Sequence, residues 1–272
     1  MDVNINMDNW NNQNKPFGIS GCFRLRDEEE FMVQSIKSHL PFLDEAVLVV
    51  QPSKDSTKKL AEKLVDTYPD KVRLFYYDLD VRFIDHPLWH QTPEVDPLSF
   101  VYLSNWALSQ CKYSWICKAE GDVIALDTLS LIRKEIEKEP KKPTYYGRML
   151  LNIAGKHGNQ ISYTNPRNAG WDECVVPNTP SFHFFYNKKW ESMVGDEPHD
   201  KICMGWSCLH LKRCKKEHLP VWNNEKYIER SLDGLRVALS EYNKKSGYIG
   251  RDGLDLGAEF LVRKSIYEVY SE

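Results

Sequence analysis

The sequence predicts an α/β fold on a mostly parallel sheet with flanking helices. Short apolar runs bounded by turn residues recur from Phe17 onward, and segments with helical apolar spacing lie between them. Acidic residues collect where the runs end, the edge of an open α/β sheet at which ligands bind.

The first run, FGISGCFRL, reads as a buried strand. In RDEEEFMVQSIKSHL, Asp27 followed three residues later by Glu30 has the pattern of a capping box. Met32, Ile36 and Leu40 recur at helical spacing, and Pro41 ends that helix. EAVLVV is a second buried strand. Ser53 and Asp55 precede a helix on which Leu60, Leu64 and Tyr68 share one face, and KVRLFYYDLD is a third strand. This alternation of strand and helix argues parallel strands joined by crossover helices.

Between Val81 and Pro97 the rhythm breaks. The segment holds Asp85, His86, Trp89, His90, Glu94 and Asp96 with three prolines. It reads either as a functional loop or as a surface excursion packed by its own Trp and Pro side chains. LSFVYLSNWALSQCK then reads as a helix, and YSWICKAEGDVIAL as a strand running into a turn. Asp127 is placed to cap TLSLIRKEIEKE, with Leu129, Ile132 and Ile136 on one face. After Pro143, TYYGRMLLNIAG and QISYTN flank a Gly-containing turn and predict a hairpin. A loop carrying Trp171, Asp172 and Glu173 leads to the strand SFHFFYN. Ile228, Leu232, Leu235 and Leu239 then predict an amphipathic helix that either covers the sheet or forms a homodimer contact.

The 272 residues allow one large domain or one and a half. With 42% hydrophobic and 12% aromatic residues, wholesale disorder and a small disulfide scaffold are excluded. Thirty-six basic against 39 acidic residues, a net charge of −3, leave no footprint for nucleic acid or for a polybasic membrane patch. Seven cysteines without a repeating framework suit reduced thiols. No apolar run reaches the roughly 18 residues of a membrane span, and no signal peptide is visible, so the expected location is cytoplasmic. Six of the first fifteen residues are Asn, which predicts a loose tail up to Pro16.

Asp78 and Asp80 end the third strand, and Glu120 and Asp122 end the fourth around a single Gly121. Two carboxylates so spaced suit Mg²⁺ or Mn²⁺ bridging phosphate oxygens. Glu-Gly-Asp is also ordinary turn composition. Cys203, Cys208, Cys214 and His218 lack the two-residue spacing of a structural zinc site.

The order of these motifs resembles the GT-A glycosyltransferases of the family-2 type, as in bacterial polysaccharide and large-algal-virus glycan pathways. FRLRDEEEFMVQSIKSHLPFLDEAVLVV is similar to their opening strand, helix and strand. Ser53-Lys54-Asp55-Ser56-Thr57 matches their Ser-x-Asp-Gly-Thr turn, Ser104-Asn105 sits where they have Arg-Asn, and Glu120-Gly121-Asp122 falls at their Asp-x-Asp position. The resemblance covers roughly Phe17 to Ile132. It departs at Gln51, where the family has an Asp facing base or ribose, and at Glu120, where the first acid is an Asp.

The resemblance implies a GT-A, Rossmann-like mixed sheet with flanking helices, a single domain with an acceptor-side extension. Residues 1–15 form the tail, 16–140 a nucleotide-sugar-binding half, 141–222 an acceptor-binding half of the same domain, and 223–272 a C-terminal helix and tail. Asp122 then binds the metal directly, Glu120 reaches metal or ribose, and His210, alternatively a satisfied core histidine, is a third ligand. Arg24, Arg26, Gln51, Asp55, Asp80 and Asn105 are nucleotide-contact candidates. Asp172 or Glu173 is the base, with Asp196 and Asp200 in reserve, and Trp89, Trp171, Trp206 and Trp222, in segments that read as loops, offer ring faces to sugars. The implied activity is that of a metal-dependent, inverting hexosyl- or pentosyltransferase, moving a sugar from a UDP-linked donor to a glycan hydroxyl. A binding protein of the same fold without catalysis, and a sugar nucleotidyltransferase, are the alternatives. The latter lacks its Gly-rich loop here.

Overall fold

The computed structural model describes residues 3–84, 86–125, 129–154, 160–163, 173–187, 190–213, 215 and 228–229. The chain opens with helix α1 (Met7–Asn11), then β1 (Ile19–Leu25), α2 (Met32–His39), β2 (Glu45–Val50), α3 (Thr57–Thr67) and β3 (Val72–Tyr76). A 3₁₀ turn at Trp89–Gln91 precedes α4 (Phe100–Ser109), β4 (Trp115–Glu120), β5 (Val123–Ala125) and α5 (Leu129–Lys138). Seven strands follow: β6 (Thr144–Ala154), β7 (Gln160–Tyr163), β8 (Glu173–Pro177), β9 (Phe182–Asn187), β10 (Trp190–Gly195), β11 (Asp200–Arg213) and β12 (Ile228–Glu229).

Ten strands form one mixed sheet in the order β12-β7-β6-β8-β4-β1-β2-β3, with β11 paired to β6 and β5 beside the main path. β3, β2, β1 and β4 are mutually parallel, so their carboxyl ends share one edge. β8 enters antiparallel to β4 and joins the later strands to this core. The fold class is the one the sequence predicts, a Rossmann-like mixed α/β sheet with flanking helices.

Period-two alternation supplies both faces of the sheet. Ala46, Leu48 and Val50 of β2 join Phe23, Leu25, Trp115 and Cys117 in one core, under α2, α3 and α5. Val47 and Val49 join Cys22 and Ile116 in the other, against α4 and Phe182 and Phe184 of β9. The apolar stripe read from α5 is buried at Leu129, Ile132 and Ile136. On α3 the fully buried positions are Thr57, Ala61 and Leu64, while Leu60 and Tyr68 pack at its margin.

Four expectations change. Asp27 does not cap α2, whose N-cap is Phe31 with no side-chain cap bond. Asp27 instead adopts φ 53°, and its carboxylate accepts from the Lys54 amide at 2.6 Å. A short acid tolerates that left-handed backbone when it can bond locally. The Asn-rich start is not loose: Asn6 caps α1, Trp10 is buried, and the Asn9 amide donates to Ser109 O and Cys111 O. Ile228 lies in a strand paired with β7, not in a helix, while Leu232, Leu235 and Leu239 fall outside the described residues. Trp206 belongs to β11 and not to a loop, because register shifts along its pairing with β6 obscure a period of two.

The excursion between Val81 and Pro97 is packed partly by its own residues and partly against β9. Trp89 is buried, meets Tyr186 edge-on at 4.9 Å, and is unavailable to a sugar face. Arg82 donates to Thr92, and Glu94 accepts from the Tyr186 amide. Among the described residues no helix is long and apolar enough to cross a membrane.

Candidate functional site

Parallel pairing fixes where the strand-end residues lie. Arg24 sits opposite Glu120, and Leu25 opposite Val50, so the segments after β1, β2 and β4 meet at one edge. Two of these loops are bonded together: Asp55 accepts from the Glu29 and Thr57 amides, Glu29 from the Ser56 amide, and Thr57 from the Glu28 amide. Burial pushes the Asp55 carboxyl up, but the Thr57 hydroxyl and then these backbone amides outweigh it and lower its pKa.

The turn after β4 is held from α2. Ser35 Oγ lies 2.7 Å from the carbonyls of both Glu120 and Val123, and the Ala125 amide donates to Ser38 Oγ at 2.9 Å. β11 then pairs antiparallel with β5, placing His210 opposite Val123, and the Leu211 amide donates to Asp122 O. Sequence-distant residues thus converge. One ligand atom each from Glu120, Asp122 and His210 lie within 4.8 Å of one another.

Asp122 is the buried centre of this group. Its Oδ1 is 3.6 Å from His210 Nε2, and its Oδ2 is 3.1 Å from Lys215 Nζ. Burial pushes the carboxyl up, but His210 and then Lys215 outweigh it and hold the group well below the usual carboxylate range. Glu120 opposes burial in the same way through Lys118, whose Nζ is 3.3 Å from Oε1, and its pKa is also lowered. Lys215 reaches further, to both oxygens of Glu28 at 2.9 Å. Burial opposes the Lys215 charge, yet Asp122 and Glu28 raise its pKa. Gly121 allows this closeness, since a Cβ there would lie 2.8 Å from Glu28 Cγ.

Two hard carboxylates and an imidazole fit a divalent cation such as Mn²⁺ or Mg²⁺ chemically. Gln51, at the end of β2, is 4% exposed, and its Oε1 has no hydrogen-bond partner among the described residues. A buried acceptor without a donor is costly, and a ligand N–H or O–H would relieve it.

Other candidates are already engaged. Arg24 lies 4.7 Å from the ring centres of both Phe100 and Phe184, bonds Ser104 Oγ, and is 3.4 Å from Glu191. Asn105 donates to Phe184 O and accepts from its amide, tying α4 to β9. Arg26 stacks on Phe83 at 4.6 Å and pairs with Asp27, and Asp80 is exposed. Asp172, Trp171, Trp222, Asp127, Cys214 and His218 lie outside the described residues. Glu173 opens β8, and because β8 runs antiparallel to β4 its first residue lies toward the carboxyl end of β4. Asp196 faces His183 at 3.5 Å, and Asp200 pairs with Lys142 at 2.7 Å; both are exposed.

Glu28, Lys118 and Lys215 are residues that reading the sequence missed. Alternation along β4 puts Lys118 and Glu120 on one face, a signal open to sequence reasoning. Glu28 sits in the acid run after β1. Lys215 lies in a basic cluster, and nothing local distinguishes it from its neighbours.

No protein-family model matches the chain, and no curated protein does. Among solved structures it is similar to residues 1–349 of S. aureus TarS, at 12% identity and TM-score 0.45, covering 71% of this chain and 60% of that one. The chain thus spans three-fifths of the TarS piece it matches. It is also similar to glucosyl-3-phosphoglycerate synthase from Mycobacterium tuberculosis in complex with Mn²⁺, UDP and phosphoglyceric acid. That match has 12% identity and TM-score 0.39, covering 88% and 80% of the two chains. A third match is 4-diphosphocytidyl-2C-methyl-D-erythritol synthase from Anaerococcus prevotii, with 12% identity, TM-score 0.32, and 60% and 72% covered.

Proposed function

We propose that this chain is a metal-dependent, inverting glycosyltransferase that moves a sugar from a nucleotide-diphosphate donor, UDP-linked, to a glycan hydroxyl. The observation that carries the reading is the convergence of Glu120, Asp122 and His210 at the carboxyl edge of the parallel strands. A glycosyl donor loses its diphosphate as charge builds on the β-phosphate, so a cation-holding group belongs at that edge.

Asp122, Glu120 and His210 would hold Mn²⁺ or Mg²⁺, whose chemistry is to neutralise the departing diphosphate. Gln51 offers its buried Oε1 to a donor on the nucleotide, such as the N–H of a uracil ring, in place of the acid seen in the resembled family. Serine, Asp and Thr side chains between Ser53 and Thr57 fix the neighbouring turn, so that the Gln51 carboxamide stands at a rigid edge. Lys118 holds Glu120 by charge, which orients it across the strand end. In an inverting transfer the acceptor hydroxyl loses its proton to a base on the face opposite the diphosphate. Glu173, at the start of β8, or the preceding Asp172 fills that role, with Asp196 and Asp200 as the reserve.

Donor hydrolysis and thermal stability measured across nucleotide sugars, with and without Mn²⁺, test the reading. A UDP-sugar should raise the melting temperature and be hydrolysed slowly with Mn²⁺, since a ligand that binds only the native state stabilises it. Asp122→Asn should abolish hydrolysis. Equal hydrolysis by the variant would remove Asp122 from the metal site.

A further inference from the structure

Besides the three groups suited to a divalent cation, the site holds a cation of its own. Lys215, two residues beyond β11, is 8% exposed. Its ammonium lies 3.1 Å from Asp122 Oδ2 and 2.9 Å from each Glu28 oxygen. Among the described residues, the ionisable groups facing it are these two carboxyls; Glu120 lies across the cluster with its own partner Lys118, and His210 stands on the opposite oxygen of Asp122. Lys215 therefore neutralises the carboxylate that a metal most needs, from within hydrogen-bond distance. A divalent ion and an ammonium on the same carboxylate repel each other strongly in a partly buried site.

We infer that Lys215 is a resident counter-ion that a divalent cation must displace from Asp122, so that it sets a weak affinity for the metal and couples metal binding to a swing of the Lys215 side chain. The inference rests on the metal-site reading above and concerns how that site is regulated. Glu28 supplies the alternative seat: an ammonium that leaves Asp122 keeps two contacts on Glu28, so displacement requires a short swing and not exposure of a bare charge. The metal-free protein is thereby kept folded around an acidic cluster that would otherwise repel itself.

The test is Mn²⁺ alone, titrated into the whole chain without nucleotide and followed by the loss of the free-ion electron paramagnetic resonance signal. Wild type is compared with Lys215→Met and with Lys215→Gln, which keeps an N–H donor toward Glu28. Both variants should bind Mn²⁺ more tightly by about tenfold or more, as expected when one like charge leaves a partly buried site. The melting temperature of each variant should also rise further on adding Mn²⁺ than that of wild type, a response that a purely structural lysine would not give and that persists if the variants start out less stable. Equal or weaker Mn²⁺ binding by both variants overturns the inference, as does the absence of binding in all three proteins. Donor hydrolysis is scored separately, so a failure of the glycosyltransferase reading is not confused with a failure of this one.

Discussion

Raising the pH from about 5 to about 7.5 should weaken the folded protein through Glu28. Burial, and then the Asp122 charge, raise this carboxyl from 4.5 to about 8. Lys215 contacts both of its oxygens and favours the ionised form, but does not outweigh those two effects. Since the folded pKa lies above the unfolded one, the native state holds the proton more tightly. The resulting stability is fully present below the unfolded value and is lost as the pH rises through the folded one. Within that window the loss is at most about 1.4 kcal/mol per pH unit, or roughly 3 kcal/mol between the two conditions. Glu28→Gln has no charge to desolvate, so the difference in stability between variant and wild type isolates this group from every other one. Urea unfolding followed by tryptophan fluorescence at a series of pH values measures that difference. It should shift in favour of the variant as the pH rises, by about 1 to 3 kcal/mol across the range. A difference independent of pH, or one of opposite slope, would mean that Glu28 is ionised throughout and that its pairing with Lys215 dominates.

Further outcomes follow from the same contacts. Gly121→Ala should cost about 1 to 3 kcal/mol in unfolding free energy and weaken Mn²⁺ binding, because the new Cβ overlaps the Glu28 side chain; unchanged stability would show that Glu28 yields freely. Gln51→Met should stabilise the ligand-free protein by about 1 kcal/mol by removing an unsatisfied buried acceptor. The same variant should weaken UDP binding by calorimetry, and unchanged affinity would take Gln51 out of the nucleotide site. Trp10→Ala should lower stability by about 3 kcal/mol in chemical denaturation, whereas a loose tail would tolerate it without loss.

The parallel core was legible because β1, β2 and β4 are short, largely apolar runs and α5 carries a clean stripe, signals that local chemistry alone produces. Asp27 misled for a physical reason. Its acid-x-x-acid pattern suits a helix cap, yet the tertiary neighbour at Lys54 offers its carboxylate a backbone amide and draws it into a left-handed turn. α1 was hidden because five residues carry too little periodicity, and its stability comes from Trp10 and from the bonds of Asn9 to the end of α4. At the site, Glu120 and Asp122 are adjacent in sequence and therefore visible together. His210 and Lys215 join them only through the pairing of β11 with β5, a contact such as that of His210 with Val123 between segments distant in sequence that no local pattern encodes. Arg24 and Asn105 carried a family pattern, but their polar atoms are spent on holding β9 and its neighbours.

The Arg24 contact has a consequence for anyone who would graft new specificity onto this scaffold. Its guanidinium works as a rivet through three layers: it starts on β1, passes between rings from α4 and β9, and ends on a carboxylate of β10. A chimera that imports a foreign segment after residue 141 leaves that buried charge without Phe184 and Glu191, and an uncompensated buried cation is strongly destabilising. The segments before and after residue 141 are therefore not interchangeable cassettes. A workable exchange carries both residues with it, or replaces Arg24 and its Ser104 partner at the same time.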